Sequence, residues 1–155
     1  MSAQPSWTAR LEQLGLALPE AVAPLASYVP AVRTGNLVYT AGQLPMQAGK
    51  LMGTGKVGAG VSPDEGKAMA RVCALNALAA VNSVVAIDAV TRVVKVVGFV
   101  ASAPGFNGQP SVVNGASDLL AEVFGDKGAH ARSAVGVSEL PLDAPLEVEL
   151  VVEVG

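Results

Sequence analysis

One cysteine and one histidine, 57 positions apart, exclude several kinds of small protein at once. Cys73 cannot build an internal disulfide framework alone. Cys73 and His130 fall short of the nitrogen and sulfur ligands of a zinc site, and no clustered acidic motif offers oxygen ligands instead. No metal is expected. Aromatic residues make up only 4% and the net charge is −3. The basic surface and stacking rings that serve nucleic-acid binding are therefore both scarce. Charged residues reach 15%, against roughly 25% in an average soluble protein. No apolar run approaches the ~18 residues of a membrane span. No basic segment followed by an apolar stretch marks a secretory signal, so a cytoplasmic location is expected.

What the chain has in excess is apolar residues, at 51%. Mean hydropathy is +0.47. With no membrane span to account for it, this excess points to a subunit that covers apolar surface with copies of itself. The length, 155 residues, fits one domain over 1–155, with 1–23 as a helical N-terminal extension.

Along the chain, residues 6–16 predict a short helix capped by Ser6, with Trp7, Leu11 and Leu14 on one stripe. "VPAV" and "NLVYTAG" flank Thr34-Gly35-Asn36 and predict a hairpin, with Gly42 ending its second strand. Gly53-x-Gly55-x-x-Gly58 matches a dinucleotide fingerprint in form only. It does not open directly into a helix and lacks the acidic partner, so it reads as a flexible surface loop. Ser62, Pro63 and Glu65 start the clearest helix with a capping box. Its apolar face is predicted as Ala68, Val72, Leu75 and Ala79, with Leu78, Val81 and Val85 beside them. Cys73 reads as a small core residue. "VTRVVKVVGFVA" predicts a strand. Residues 111–125 predict a helix with Val112, Ala116, Leu119, Val123 and Phe124 inward. His130 reads as an exposed loop histidine. The order ββ(β)αβαββ predicts an α+β fold, a mixed sheet with two helices on one face.

The closing stretch "HARSAVGVSELPLDAPLEVELVVEV" predicts two strands. In the second, Leu146, Val148, Leu150 and Val152 share the face under the helices, and Glu147, Glu149, Val151 and Glu153 the other. Arg132, Ala134 and Gly136 share a face of the first. Arg132 and Glu147 are both expected on the helix-free side, where a solvated antiparallel face would account for them. The small neighbours of Arg132 instead suggest room for a ligand or another chain. In a plain hairpin centred near Leu142–Asp143, these two charges would sit about 20 Å apart along the strands. Either the strands are not neighbours, or another subunit completes any shared site.

These segments resemble the Rid/YjgF family of reactive-intermediate (imine) deaminases, whose members often carry the older label L-PSP endoribonuclease. The resemblance rests on "ASYVPAVRTGNLVYTAGQLP", "VVKVVGFVAS", "VNGASDLLAEVFG" and the closing motif, and spans roughly residues 24–154. The N-terminal helix and enlarged loops are similar to the longer branch. The resemblance implies a chorismate-mutase-like subunit in a homotrimer, with clefts between subunits. It also implies hydrolysis of 2-imino acids to 2-keto acids and ammonia without a cofactor. By the same resemblance Arg132 holds the substrate carboxylate and Glu147 positions or activates water. Gly42 offers a backbone contact, Tyr28 lines the pocket and Asn114 is a polar residue of the site. Ala41 stands where Ser or Thr is frequent, and Ala134 where Cys is frequent. These departures imply a different or larger apolar substrate, weak activity, or simple packing variation. The alternatives are a non-catalytic trimeric binder of small carboxylates and, third, an endoribonuclease. The acidic charge and the lack of a second histidine speak against the latter.

Overall fold

Helix α2 begins where its capping box places it and runs Pro63–Asn82. Ser62 Oγ accepts from the Glu65 N–H, and the Glu65 carboxylate accepts from the Ser62 N–H, so two otherwise orphaned amides are satisfied. The computed structural model describes residues 5–23 and 26–155. The first four residues of the N-terminal extension, and residues 24–25 where the resemblance begins, lie outside them. Helix α1 is Trp7–Gln13, capped by Ser6. Leu11 is buried, and Trp7 packs edge-on against Phe124 with ring centroids 5.1 Å apart.

The described residues also form seven strands: β1 (Ala31–Thr34), β2 (Leu37–Thr40), β3 (Met46–Gln47), β4 (Lys50–Leu51), β5 (Val90–Ala101), β6 (Ala131–Val137) and β7 (Leu146–Val154). Helix α3 is Gln109–Phe124. It starts two residues before the sequence-based expectation because Pro110 fits a first turn, where it has no N–H to lose. Strands β1 and β2 form the expected hairpin across Gly35-Asn36, with β1 starting at Ala31 inside "VPAV". Strands β3 and β4 form a separate small hairpin.

The main sheet has the order β1-β2-β7-β5-β6. Strand β7 is antiparallel to both neighbours, so β2 and β5 run parallel with β7 inserted between them. Helix α2 makes that crossover, and α3 links β5 to its parallel neighbour β6. This is the expected α+β mixed sheet with two helices on one face. Strands β6 and β7 are not neighbours, which decides the alternative left open by the hairpin arithmetic: β5 lies between them.

Val38, Val96, Val100, Leu146, Val148, Leu150 and Val152 are buried beneath the helices. Each such side chain contributes about 1.5–3 kcal/mol. The opposite face of the sheet carries Val32, Tyr39 and Val135, which stay 53%, 47% and 44% exposed. The chain thus presents a sheet face on which these apolar residues stand exposed beside the glutamates of β7.

Three expectations need correction. Of the expected face of α2, Ala79, Leu78 and Val81 are buried, but Ala68 is exposed and Val72 and Leu75 are half-buried; Gly66, Met69, Ala70, Cys73, Ala74 and Ala77 are buried instead. An alanine-rich helix offers two stripes of similar apolarity, and close approach of the partner selects the one with the smaller residues. The glycine-rich segment 53–60 is a loop, but not merely a surface one. Val57 is fully buried and its backbone bonds to Ala101 and Ala103. Arg132 does not share the helix-free face with Glu147. The parallel register sets Arg132 beside Val96 and Ala134 beside Gly98, on the helix side. On an exposed edge strand, burial alternates too weakly to reveal which face is which.

Helices α2 and α3 approach so closely at Gly115 that a Cβ there would overlap the Lys67 carbonyl. Backbone cannot yield as a side chain can, so Gly115→Ala is expected to lower unfolding free energy by about 1–3 kcal/mol. Urea denaturation checks this, and an unchanged midpoint would contradict the helix–helix packing described.

Candidate functional site

Strand β2 carries one residue too many for its partner. Tyr39 pairs with Val151, but the next backbone bridge joins Gln43 to Val148. Four steps along β2 therefore match three along β7, which is a bulge over residues 40–42. Thr40 Oγ1 accepts the Leu150 N–H at 3.0 Å and fills the broken ladder with a side chain. Beyond it, Gln43 and Val148 exchange backbone bonds of 2.8 and 3.0 Å. The bulge sets Gly42 against the side chain of Glu147. A Cβ at position 42 would overlap that carboxylate, so any other residue there would displace the Glu147 side chain.

Glu147 lies in a cleft of about 70 Å³ lined by Val22, Tyr28, Gly42, Leu44, Met46 and Leu142, among others. That volume holds a handful of water molecules. The Glu147 carboxyl is half-buried and its pKa is raised, first by desolvation and then by the nearby charge of Glu149. None of the three ion pairs among the described residues includes it. A carboxylate with little water, no cation and a neighbouring anion binds protons more tightly than usual. Leu142 reaches the cleft from a turn in which both it and Asp143 have positive φ, 59° and 58°. Cys73 is buried and its thiol is pushed well up by desolvation, with Glu147 adding to it, so it is an inert core residue as expected.

Arg132 belongs to a second cluster, against α3. Its Nη1 donates to Asn114 Oδ1 at 2.7 Å and to Ser117 Oγ at 3.2 Å, and its Nη2 to the Pro110 carbonyl at 3.3 Å. A guanidinium has five N–H donors. The three bonds leave Nε–H and one Nη2–H, on adjacent nitrogens. His130 is half-buried rather than an exposed loop residue. Its ring bonds Ser117 Oγ at 2.9 Å and the Gly128 carbonyl at 2.6 Å.

The predicted residues thus fall into two groups. Tyr28, Gly42 and Glu147 line the cleft. Arg132 and Asn114 meet at α3, with Ala134 packed against the core beside them. Ala41 gives its N–H to the Pro30 carbonyl and its own carbonyl to the Gln43 side chain. Within one chain the groups do not meet. Arg132 aligns with Val96 and Glu147 with Phe99, three residues apart along β5 and on strands two places apart in the sheet. Their Cα atoms are about 14 Å apart, and their side chains leave opposite faces. Sequence reasoning missed Ser117, Gln43 and Leu142. Only the helical spacing of Asn114 and Ser117 carried a signal, placing both on one side of α3.

Desolvation of Glu147 has a cost that depends on pH. Its folded pKa lies above the ordinary value of 4.5, so folding takes up a proton. The favourable contribution is complete below the unfolded value and is lost as pH rises through the folded one. Glu147→Gln is therefore expected to melt above wild type at about pH 7, with the gap closing toward about pH 4. A melting difference independent of pH would contradict the burial of this carboxylate.

The comparisons agree with this architecture. The family described as "YjgF/chorismate mutase-like, putative endoribonuclease" matches residues 8–154. Protein TCP17 of Trypanosoma cruzi is 45% identical over 150 residues, covering 95% of this chain and 93% of that protein. A 2-iminobutanoate/2-iminopropanoate deaminase of Dermatophagoides farinae is 33% identical over 137 residues, covering 88% and 93%. The crystal structure of a "putative endoribonuclease" from Shewanella oneidensis superposes with a TM-score of 0.93 at 32% identity, covering 97% of this chain and all of that one. No helix among the described residues is long and apolar enough to cross a membrane. By sequence and by fold, the chain belongs to the YjgF/chorismate mutase-like family.

Proposed function

We propose that this protein hydrolyses 2-imino acids to 2-keto acids and ammonia, at sites that two subunits complete. The observation that carries the reading is Glu147: a desolvated carboxylate without a cation, held against Gly42 in a small apolar-walled cleft. A base for water needs a pKa raised toward the working pH and a dry, positioned setting. Glu147 has both features. The deaminase named among the relatives supports the same chemistry.

In this reading the free edge of Arg132 takes the substrate carboxylate in a bidentate grip. Enamine tautomerises to imine, whose C2 is electrophilic, so no cofactor is required. Glu147 accepts a proton from water as its oxygen attacks C2. The C=N double bond becomes a single bond in a carbinolamine. Glu147 returns that proton to nitrogen to complete the carbinolamine, then takes the hydroxyl proton and passes it to nitrogen, so that the C–N bond breaks, C=O forms and ammonia leaves with both protons of the water. The apolar walls of the cleft favour a short apolar side chain.

Arg132 and Glu147 cannot serve one substrate from the same chain at about 14 Å and on opposite faces. A homotrimer, cyclic and closed, brings the arginine of one chain to the glutamate of the next. The uncovered face with Val32, Tyr39 and Val135 supplies the apolar surface for such an assembly. RNA cleavage finds less support. The single histidine is tied to Ser117 and Gly128, and lies in the Arg132 cluster rather than at Glu147.

The test is keto-acid release from 2-aminoacrylate generated in situ by a serine dehydratase. Wild type is expected to accelerate release, with Arg132→Ala and Glu147→Gln each slower by tenfold or more, about 1.4 kcal/mol or more of transition-state stabilisation. Equal rates in all three refute the deaminase. Retained carboxylate binding without turnover identifies a binder instead. Sedimentation tests the assembly: a trimer for wild type, shifted toward monomer by Val135→Glu. A monomeric wild type contradicts the shared site.

A further inference from the structure

Arg132 would be the carboxylate clamp of the proposed reaction, and the structure holds its guanidinium in an unusual way. Ser117 and His130 form a chain behind it that neither the family resemblance nor the comparisons assign. The direction of this chain follows from its far end. The Gly128 carbonyl can only accept, so His130 Nδ1 carries the proton at the 2.6 Å contact. In the neutral ring Nε2 is then an acceptor, and at 2.9 Å it takes the Ser117 hydroxyl proton. Ser117 Oγ is left with its lone pairs toward Arg132 and accepts Nη1 at 3.2 Å. Donation thus runs one way, from Arg132 through Ser117 and His130 to a backbone carbonyl.

Without His130, the Ser117 hydroxyl is free to rotate. It can turn its proton toward the i−4 carbonyl of its own helix, as mid-helix serines commonly do, or toward the arginine. With His130 in place, the hydroxyl has one orientation and Nη1 has a fixed acceptor beside Asn114 Oδ1. Three anchored donors hold the guanidinium plane, and the unused pair on Nε and Nη2 keeps one direction.

We infer that Ser117 and His130 are positioning residues that lock the Arg132 fork for a substrate carboxylate through a one-way hydrogen-bond relay. The inference rests on reading Arg132 as the clamp. It concerns binding of the carboxylate rather than attack by water, which belongs to Glu147.

The experiment is calorimetric titration of the full chain with 2-oxobutanoate, the keto acid the proposed reaction would release, and with its uncharged amide. Melting is measured for every variant. Ser117→Ala and His130→Ala are expected to weaken 2-oxobutanoate about fivefold, about 1 kcal/mol, and to leave the weaker binding of the amide unchanged. His130→Gln places an amide oxygen where Nε2 was and is expected to restore affinity to within about twofold of wild type. His130→Asn keeps only the donor to Gly128 and is expected to stay weak. Arg132→Ala is the reference, with acid binding lost by more than about tenfold. The relay is overturned if the Ser117 and His130 variants bind the acid like wild type while Arg132→Ala does not. It is equally overturned if acid and amide weaken together, or if His130→Asn rescues as well as His130→Gln. If Arg132→Ala itself binds like wild type, the clamp reading fails and the relay falls with it.

Discussion

The insertion of β7 between β2 and β5 governs the rest of this structure. It makes β7 the central strand of the sheet, with Leu146, Val148, Leu150 and Val152 sealed under the helices. The same alternation forces Glu147 out on the other side, at the start of the strand, where the bulge of β2 brings Gly42 against it. It also sends β6 to the sheet edge beyond β5, where Arg132 reaches α3 instead of the glutamate. One topological choice therefore fixes where Glu147 and Arg132 sit and how far apart they are.

That separation gives the uncovered sheet face its meaning. A lone chain would leave Val32, Tyr39 and Val135 in water and its two functional clusters apart. The proposed association would remedy both together, by burying that face and by offering an arginine from one chain to a glutamate of another. The half-buried Glu147 carries an electrostatic penalty in the folded chain that a purely structural position would not retain, since glutamine would fit the same space. In the proposed reaction, that penalty accompanies a carboxylate of raised basicity.

Much of this was legible in the residues. The capping box of α2, the Gly35-Asn36 hairpin, the β-branched run of β5 and the alternation of β7 are local signals, and each produced its element. Gly42, Glu147 and Tyr28 line one cleft. What failed depended on partners distant in sequence. The face of Arg132 follows from the parallel register with β5, and no pattern within β6 encodes it. The true stripe of α2 depends on which of its small residues meets α3, as at Gly115. His130 looked like a loop residue because nothing nearby in sequence reveals Ser117, one helix earlier, as its partner. The bulge at residues 40–42 became visible only when two bridges could be counted against each other.

The central claim is that one catalytic site draws Arg132 from one chain and Glu147 from another. Co-assembly of the two inactive variants tests it most directly. When Arg132→Ala and Glu147→Gln chains are refolded together in equal amounts, random trimers contain interfaces where an intact arginine faces an intact glutamate. About a quarter of the sites should be of this kind. The account predicts that imine hydrolysis returns to about a quarter of the wild-type rate in the mixture. A mixture no more active than the two variants measured separately, with mixed trimers verified by mass, would place the site within a single chain and contradict the account.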